Sequence, residues 1–226
     1  MAASLFVPLQ TTDALLDQVH DRLVAAIADG TLSPGQRLTQ EEVAAQLGVS
    51  RQPVSHALQV LRRRGLVIEA GKRGVVVAPL DARRLRDLYQ VREALEALAA
   101  SLAASRCLTP CEIEEGEALL EHGTALAENG STGALIAADV DFHSFLHRLS
   151  GNGAIVETIA EEWPHFRRAM GVVLVDKPTR RRVWAEHAEI LAHVYAGDAV
   201  AAAAAARRHF ARAGEEAASR LEATTE

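Results

Sequence analysis

Apolar residues recur at helical spacing from Asp13 to Ala28, with Leu15, Leu16, Val19, Leu23, Ala26 and Ile27 on one side. The pattern stops at Asp29-Gly30, where glycine supplies a left-handed helix end. Ser33-Pro34-Gly35 predicts a turn and Arg37-Leu38 a short strand. Thr39 with Glu42 three residues on reads as a capping box, and Val43, Ala44 and Leu47 form the inner face of the helix it starts. Gly48-Val49-Ser50 ends that helix and begins another, with Ser50 as its cap and Pro53 tolerated in its first turn. In this third helix Val54, Ala57, Leu58 and Leu61 fall at i, i+3, i+4 and i+7. Two β-branched runs, Leu66–Glu69 and Gly74–Val77, predict a hairpin joined by Ala70-Gly71-Lys72-Arg73.

At Ala78-Pro79-Leu80 the texture changes from short helices and β-branched runs to long alanine-rich helical patterns. They run over about 82–105, 109–128, 132–149, 154–173, 180–195 and 199–221, and Pro164 predicts a kink or break in the fourth. The expected fold class is mainly α. A winged helix-turn-helix domain over 1–79 precedes an all-helical antiparallel bundle of six to seven helices over 80–226.

Composition adds limits. A chain of 226 residues with 49% apolar and 24% charged residues is globular in character. Two cysteines make no disulfide framework, and no apolar run is long enough to cross a bilayer. No Lys or Arg precedes Arg22, so a signal peptide's basic start is missing, and a cytoplasmic protein without membrane contact is expected. The net charge of −6 argues against nucleic acid until it is divided by region. Residues 1–79 hold eight Lys/Arg against seven Asp/Glu, and the remainder sixteen against twenty-three. Between Val49 and Val75 six cationic residues face only Glu69.

The outward face of the third helix carries the function of that region. Arg51, Gln52, Ser55, His56 and Gln59 lie opposite its apolar side, and long cationic or amide side chains near a helix N-terminus are what reads base edges in a major groove. Lys72 and Arg73 make the hairpin turn a basic wing suited to phosphates or a minor groove. Helix-turn-helix patterns are common and an Arg62-Arg63-Arg64 run is often only a solvated face. Three helices, a hairpin and local positive charge in this order point to DNA.

In the helical half, Asp139 and His143 sit at i, i+4, so a carboxylate and an imidazole can converge on one cation. His147 continues the stripe. Taken singly, such a pair is usually a surface interaction, and His187 and His209 are ordinary histidines. His193 is off the face of His187, and His165 has no evident partner. Cys107 and Cys111, spaced CxxxC, read as reduced thiols, and Trp163 and Trp184 as core anchors.

The run Ile27-Ala28-Asp29-Gly30-Thr31-Leu32-Ser33-Pro34-Gly35-Gln36-Arg37-Leu38, with Leu47-Gly48-Val49-Ser50-Arg51-Gln52-Pro53-Val54, resembles the DNA-binding domain of GntR-type bacterial transcription regulators. The resemblance covers about 15–78 and implies DNA contacts from Arg37, Arg51 and the wing-tip Gly74. Members of that family usually carry Arg where this chain has His56 and Glu where it has Gln40, which implies a different operator sequence. Farther on, Val91-Arg92-Glu93-Ala94-Leu95-Glu96, Asp139-x-x-Phe142-His143-x-x-Leu146, Glu186-His187-x-x-Ile190-Leu191 and Arg208-His209 resemble the FCD ligand-binding domain of FadR-like members. That likeness, over about 81–221, implies Asp139, His143, His187 and His209 as metal ligands, with His147 a neighbour. One carboxylate and three imidazoles suit Zn²⁺ first, with Ni²⁺ or Mn²⁺ compatible. It also implies Arg92 in an effector cavity, where its guanidinium would clamp a carboxylate. Without the resemblance, Arg92 reads as an ion pair with Glu96 on an exposed helix face.

The expected function is therefore a DNA-binding transcription regulator, a repressor, and not an enzyme. It would act as a homodimer on a palindromic operator, its affinity set by a small carboxylate bound near a metal ion. One alternative is a metal-dependent enzyme acting on a small organic acid, though no HExxH, nucleophile elbow or phosphate loop is present. The other is a regulator that senses the metal itself.

Overall fold

The computed structural model describes residues 13–71 and 74–225, which divide into two compact units, Met1–Pro79 and Leu80–Glu226. In the first, α1 (Asp13–Ala28), α2 (Gln40–Leu47) and α3 (Arg51–Arg63) surround a small sheet of β1 (Arg37–Leu38), β2 (Val67–Glu69) and β3 (Val75–Val77). The strand order is β1-β3-β2, all antiparallel, so Val76 of β3 faces Arg37 on one side and Ile68 on the other. Val19, Leu23 and Ile27 of α1 pack on Val54, Ala57, Leu58 and Leu61 of α3 in one apolar core. The remaining face of α3 is thereby turned to solvent.

The helix ends follow local chemistry. The Thr39 hydroxyl accepts from the Glu42 N–H at 3.2 Å and donates to the Glu42 carboxylate at 2.7 Å. Gly48 then ends α2 in the left-handed conformation, φ 67°. Ser50 occupies the cap position of α3 but makes no side-chain capping bond. A cap oxygen accepts from the second or third helical N–H, and the third helical residue here is Pro53, which has none.

The second unit consists of six helices: α4 (Ala82–Ala104), α5 (Pro110–Asn129), α6 (Thr132–Ser150), α7 (Gly153–Val173), α8 (Lys177–Tyr195) and α9 (Ala199–Thr225). Thr109 and Glu112 form a full capping box on α5, and Asp81, Ser131 and Asp176 cap α4, α6 and α8. Helix α4 lies along α9 and also touches α6, α7 and α8. Alanines 97, 99, 100, 103 and 104 of α4 are all buried, because small side chains let neighbouring helices approach from several sides. Of the kink or break expected at Pro164, the break does not occur: α7 runs through it as one helix. A proline inside a helix costs about 3 kcal/mol, and burial of Ile159, Phe166 and Ala169 on either side offsets it.

Candidate functional site: a histidine cluster and a recognition face

On the first unit, Arg51, Gln52 and His56 are exposed on α3 and Ser55 is half-buried. Arg37 is exposed on β1. Lys72 and Arg73 lie outside the described residues. Gly74 has φ +127°, and a Cβ there would come within 3.0 Å of the Leu38 carbonyl, so glycine is needed for the backbone itself. Gln40 was noted in the sequence only as a departure, but its amide donates to the Ser55 hydroxyl at 3.3 Å and links the start of α2 to α3. Beside this contact is a groove of about 400 Å³ bordered by Gln59, Arg62 and Gly71. Arg62 pairs with Glu69, so one of the cations counted in this stretch is already neutralised within the protein.

In the second unit the histidines come together from three helices. α6 supplies Asp139 and His143, α8 supplies His187 and α9 supplies His209. One nitrogen from each of His143, His187 and His209 lies within 4.8 Å of the others. His143 Nε2 and His187 Nε2 are 3.2 Å apart. The Asp139 carboxylate borders them, 3.8 Å from His143 Nε2 and 3.5 Å from His187 Nε2. All four residues are buried. Burial holds the His143 imidazole below its ordinary value, although the Glu96 and Asp139 carboxylates oppose it. Burial, with the charges of His143 and His209, pushes His187 well below. Neutral imidazoles packed with their Nε2 atoms together need a cation or a proton between them. The donor set therefore fits a divalent metal.

Arg92 is not on an exposed face, which corrects that alternative reading. Its side chain is 1% exposed and sits among aromatic rings, with the guanidinium carbon 4.4 Å from the ring centre of Phe166, 4.5 Å from Phe210 and 4.7 Å from Trp163. Its Nε donates to Glu96 at 3.1 Å, while its Nη2 is buried without a hydrogen-bond partner. A cavity of about 20 Å³ separates Arg92 from Asp139 and His209. Glu96 is the residue beside this cluster that periodicity missed. It is fully buried, and its second oxygen lies 3.0 Å from His147 Nε2 and 3.4 Å from His143 Nδ1. Burial works against its ionisation, yet His147 and His143 outweigh this and hold its carboxyl well below the usual range. Its signals in the sequence are its place one turn after Arg92 and its membership of the run Val91–Glu96 that resembles the FCD domain.

The other candidates fall apart from this cluster. His193 is on the surface near Glu189, His165 is buried in α7, and Cys107 and Cys111 are exposed free thiols. Trp184 is buried against His187, ring centres 4.8 Å apart, and Trp163 is half-buried beside Arg92. Among the described residues, no helix is long and apolar enough to cross a membrane.

Comparison with known proteins gives two family matches, one within each unit. Residues 15–77 match the gntR family of bacterial regulatory proteins, and residues 87–212 match the FCD domain. An uncharacterized HTH-type transcriptional regulator in an unstable DNA locus of Streptomyces ambofaciens is 34% identical over 79% of this chain and 75% of its own. The HTH-type transcriptional repressor RspR of Escherichia coli is 28% identical over 63% of this chain and 62% of its own. The solved structure of E. coli McbR/YncC superposes with a TM-score of 0.76 at 25% identity, covering 94% of this chain and 99% of that one.

Proposed function

The chain belongs to the gntR family of bacterial regulatory proteins and carries an FCD domain, and from that premise we propose that its operator affinity is set by a small carboxylate bound beside a metal ion in the helical unit. Proteins of this family are transcription regulators that bind operator DNA, which leaves the metal-dependent enzyme without support. The observation that carries the finer reading is the convergence of His143, His187 and His209 beside a small cavity that a buried arginine with an unpartnered donor also lines.

In this reading Asp139, His143, His187 and His209 hold the ion, Zn²⁺ first and Ni²⁺ or Mn²⁺ as alternatives. Bound there, it supplies Lewis acidity for a carboxylate oxygen. Arg92 Nη2 faces the same carboxylate from across the cavity, and its aromatic surroundings keep water from competing. On the DNA side, Arg37, Arg51, Gln52, Ser55, His56, Lys72, Arg73 and Gly74 form the contact set, with α3 in the major groove and the wing on the backbone. Two copies would read the two halves of a palindrome, and the resemblance to the repressor RspR supports repression as the sign.

The test combines elemental analysis of the purified protein with binding to labelled promoter DNA. Stoichiometric metal, salt-dependent DNA binding and a shift in affinity with small carboxylates are expected. Metal-free protein unresponsive to any carboxylate would refute it. The smallness of the cavity favours a second reading, in which the ion alone is the signal. Operator affinity that changes on chelation, with no carboxylate present, would select it.

A further inference from the structure

Two carboxylates outside the four candidate ligands reach the far edges of their imidazoles. Glu186 Oε2 lies 2.8 Å from His209 Nδ1, and Glu96 Oε2 lies 3.4 Å from His143 Nδ1. A neutral imidazole that donates from Nδ1 presents its lone pair on Nε2. For His143, Nε2 is the nitrogen turned toward His187 and Asp139. The Glu186 hydrogen bond therefore selects in His209 the tautomer that leaves a lone pair for a cation, whereas Glu96 places its charge beside His143 Nδ1 without a formed hydrogen bond. His187 is held differently. Its Nδ1, like that of His143, is buried without a hydrogen-bond partner, and its ring is fixed by stacking on Phe142 at 4.4 Å and by the edge of Trp184.

The geometry points to Glu96 and Glu186 as positioning residues for a metal held by His143 and His209, an inference that rests on the ligand set of the proposed function. The two are backed by different partners. Glu186 is shared with Arg182 at 3.2 Å and with Arg212 near the surface. Glu96 is sealed inside, and its other oxygen holds Arg92 Nε at 3.1 Å. One carboxylate thus joins a metal-facing imidazole to the guanidinium assigned to the effector. Outer carboxylates of this kind fix ring orientation and raise ligand basicity, and their loss weakens metal binding about 10- to 100-fold.

The experiment uses the full chain stripped of metal with a chelator, then titrated with Zn²⁺ against a chromophoric competitor at one fixed pH. Glu96→Gln and Glu186→Gln keep side-chain volume and remove the charge. Each is expected to bind Zn²⁺ about 10- to 100-fold more weakly and to alter the absorption spectrum of the Co²⁺-substituted protein. Glu186 is partly exposed, so Glu186→Gln carries the test even if Glu96→Gln, which leaves Arg92 buried and unpaired, does not fold. Zinc affinity of Glu186→Gln within about twofold of the wild type, far less than the loss of an outer carboxylate usually causes, overturns the proposal. So does a lower melting temperature of the metal-free variant with unchanged zinc affinity and cobalt spectrum, which is a purely structural role. A wild-type protein that takes up no zinc is a separate failure: it removes the ligand set itself, before any variant is compared.

Discussion

Gly123 of α5 lies against the indole of Trp184, so close that a Cβ built on it would come within 1.9 Å of the ring. The same indole meets His187, with ring planes at 84°, and Phe142 lies near both. A glycine on one helix thus decides how a candidate metal ligand on another is seated. Gly123→Ala should lower the stability of the helical unit by about 1–3 kcal/mol through overpacking. Chemical denaturation followed by tryptophan fluorescence measures it. An unchanged midpoint would mean the indole has room to move.

Arg51→Ala should weaken promoter binding by at least about tenfold, since a bidentate base contact is worth about 1–3 kcal/mol. Fluorescence anisotropy at fixed salt reads the effect. The helical unit should melt as before, because Arg51 is exposed on α3 and outside its core. Equal affinity would remove α3 as the recognition helix.

His143→Ala with His187→Ala should abolish metal content measured by mass spectrometry of the purified protein. In the wild type, Zn²⁺ at 100 times its Kd should stabilise the fold by about 2.7 kcal/mol. The double variant should show no such gain. Full metal retention would place the ion elsewhere.

Arg92→Ala should unfold or strongly weaken the helical unit, by about 3–5 kcal/mol, because it removes one partner of a buried ion pair and leaves the Glu96 carboxylate only the imidazoles of His143 and His147. Arg92→Met combined with Glu96→Gln removes both charges and should recover most of that loss. Thermal melts of the single and double variants decide it. A harmless Arg92→Ala would contradict the burial of this pair.

Asp176 caps α8, accepting from the Thr179 N–H at 2.9 Å and from Arg220 at 2.8 Å. The backbone hydrogen bond from Thr179, then Arg220, lower its carboxyl to about 2. The folded value is below the unfolded one, so the stabilisation is present above pH ~4 and fades as pH falls toward ~2. Asp176→Ala should lose about 1 kcal/mol near neutrality and show a flatter decline of stability between those limits. An acid unfolding curve superimposable on the wild type would refute the assignment.

Element positions were readable because caps and periodicity are local. Thr39 with Glu42, Gly48, and Thr109-Pro110 each announce a helix end within four residues. The environment of Arg92 and Glu96 was not readable. An Arg-Glu pair one turn apart looks the same on a surface as in a core. What buries this one are Trp163 and Phe166 of α7 and Phe210 of α9, far along the chain from α4. The metal-ligand candidates stood between these cases: Asp139 and His143 share a face by spacing alone. His187 and His209 joined them only through resemblance. Of the two outcomes expected at Pro164, the break is absent, as α7 is packed on both sides of its proline.

The cavity between Arg92 and the histidine cluster has room for about one water. A molecule with several heavy atoms therefore has no vacancy to enter, and the interior must swell to admit it. Recognition and response would then be a single event: the affinity for an effector is reduced by whatever fraction of molecules is closed at rest. A substitution that loosens the packing of Met170 or Phe210 around that space would raise apparent affinity while blunting the difference between the two states. Tightness of packing, more than any one contact, would set the concentration at which the regulator answers.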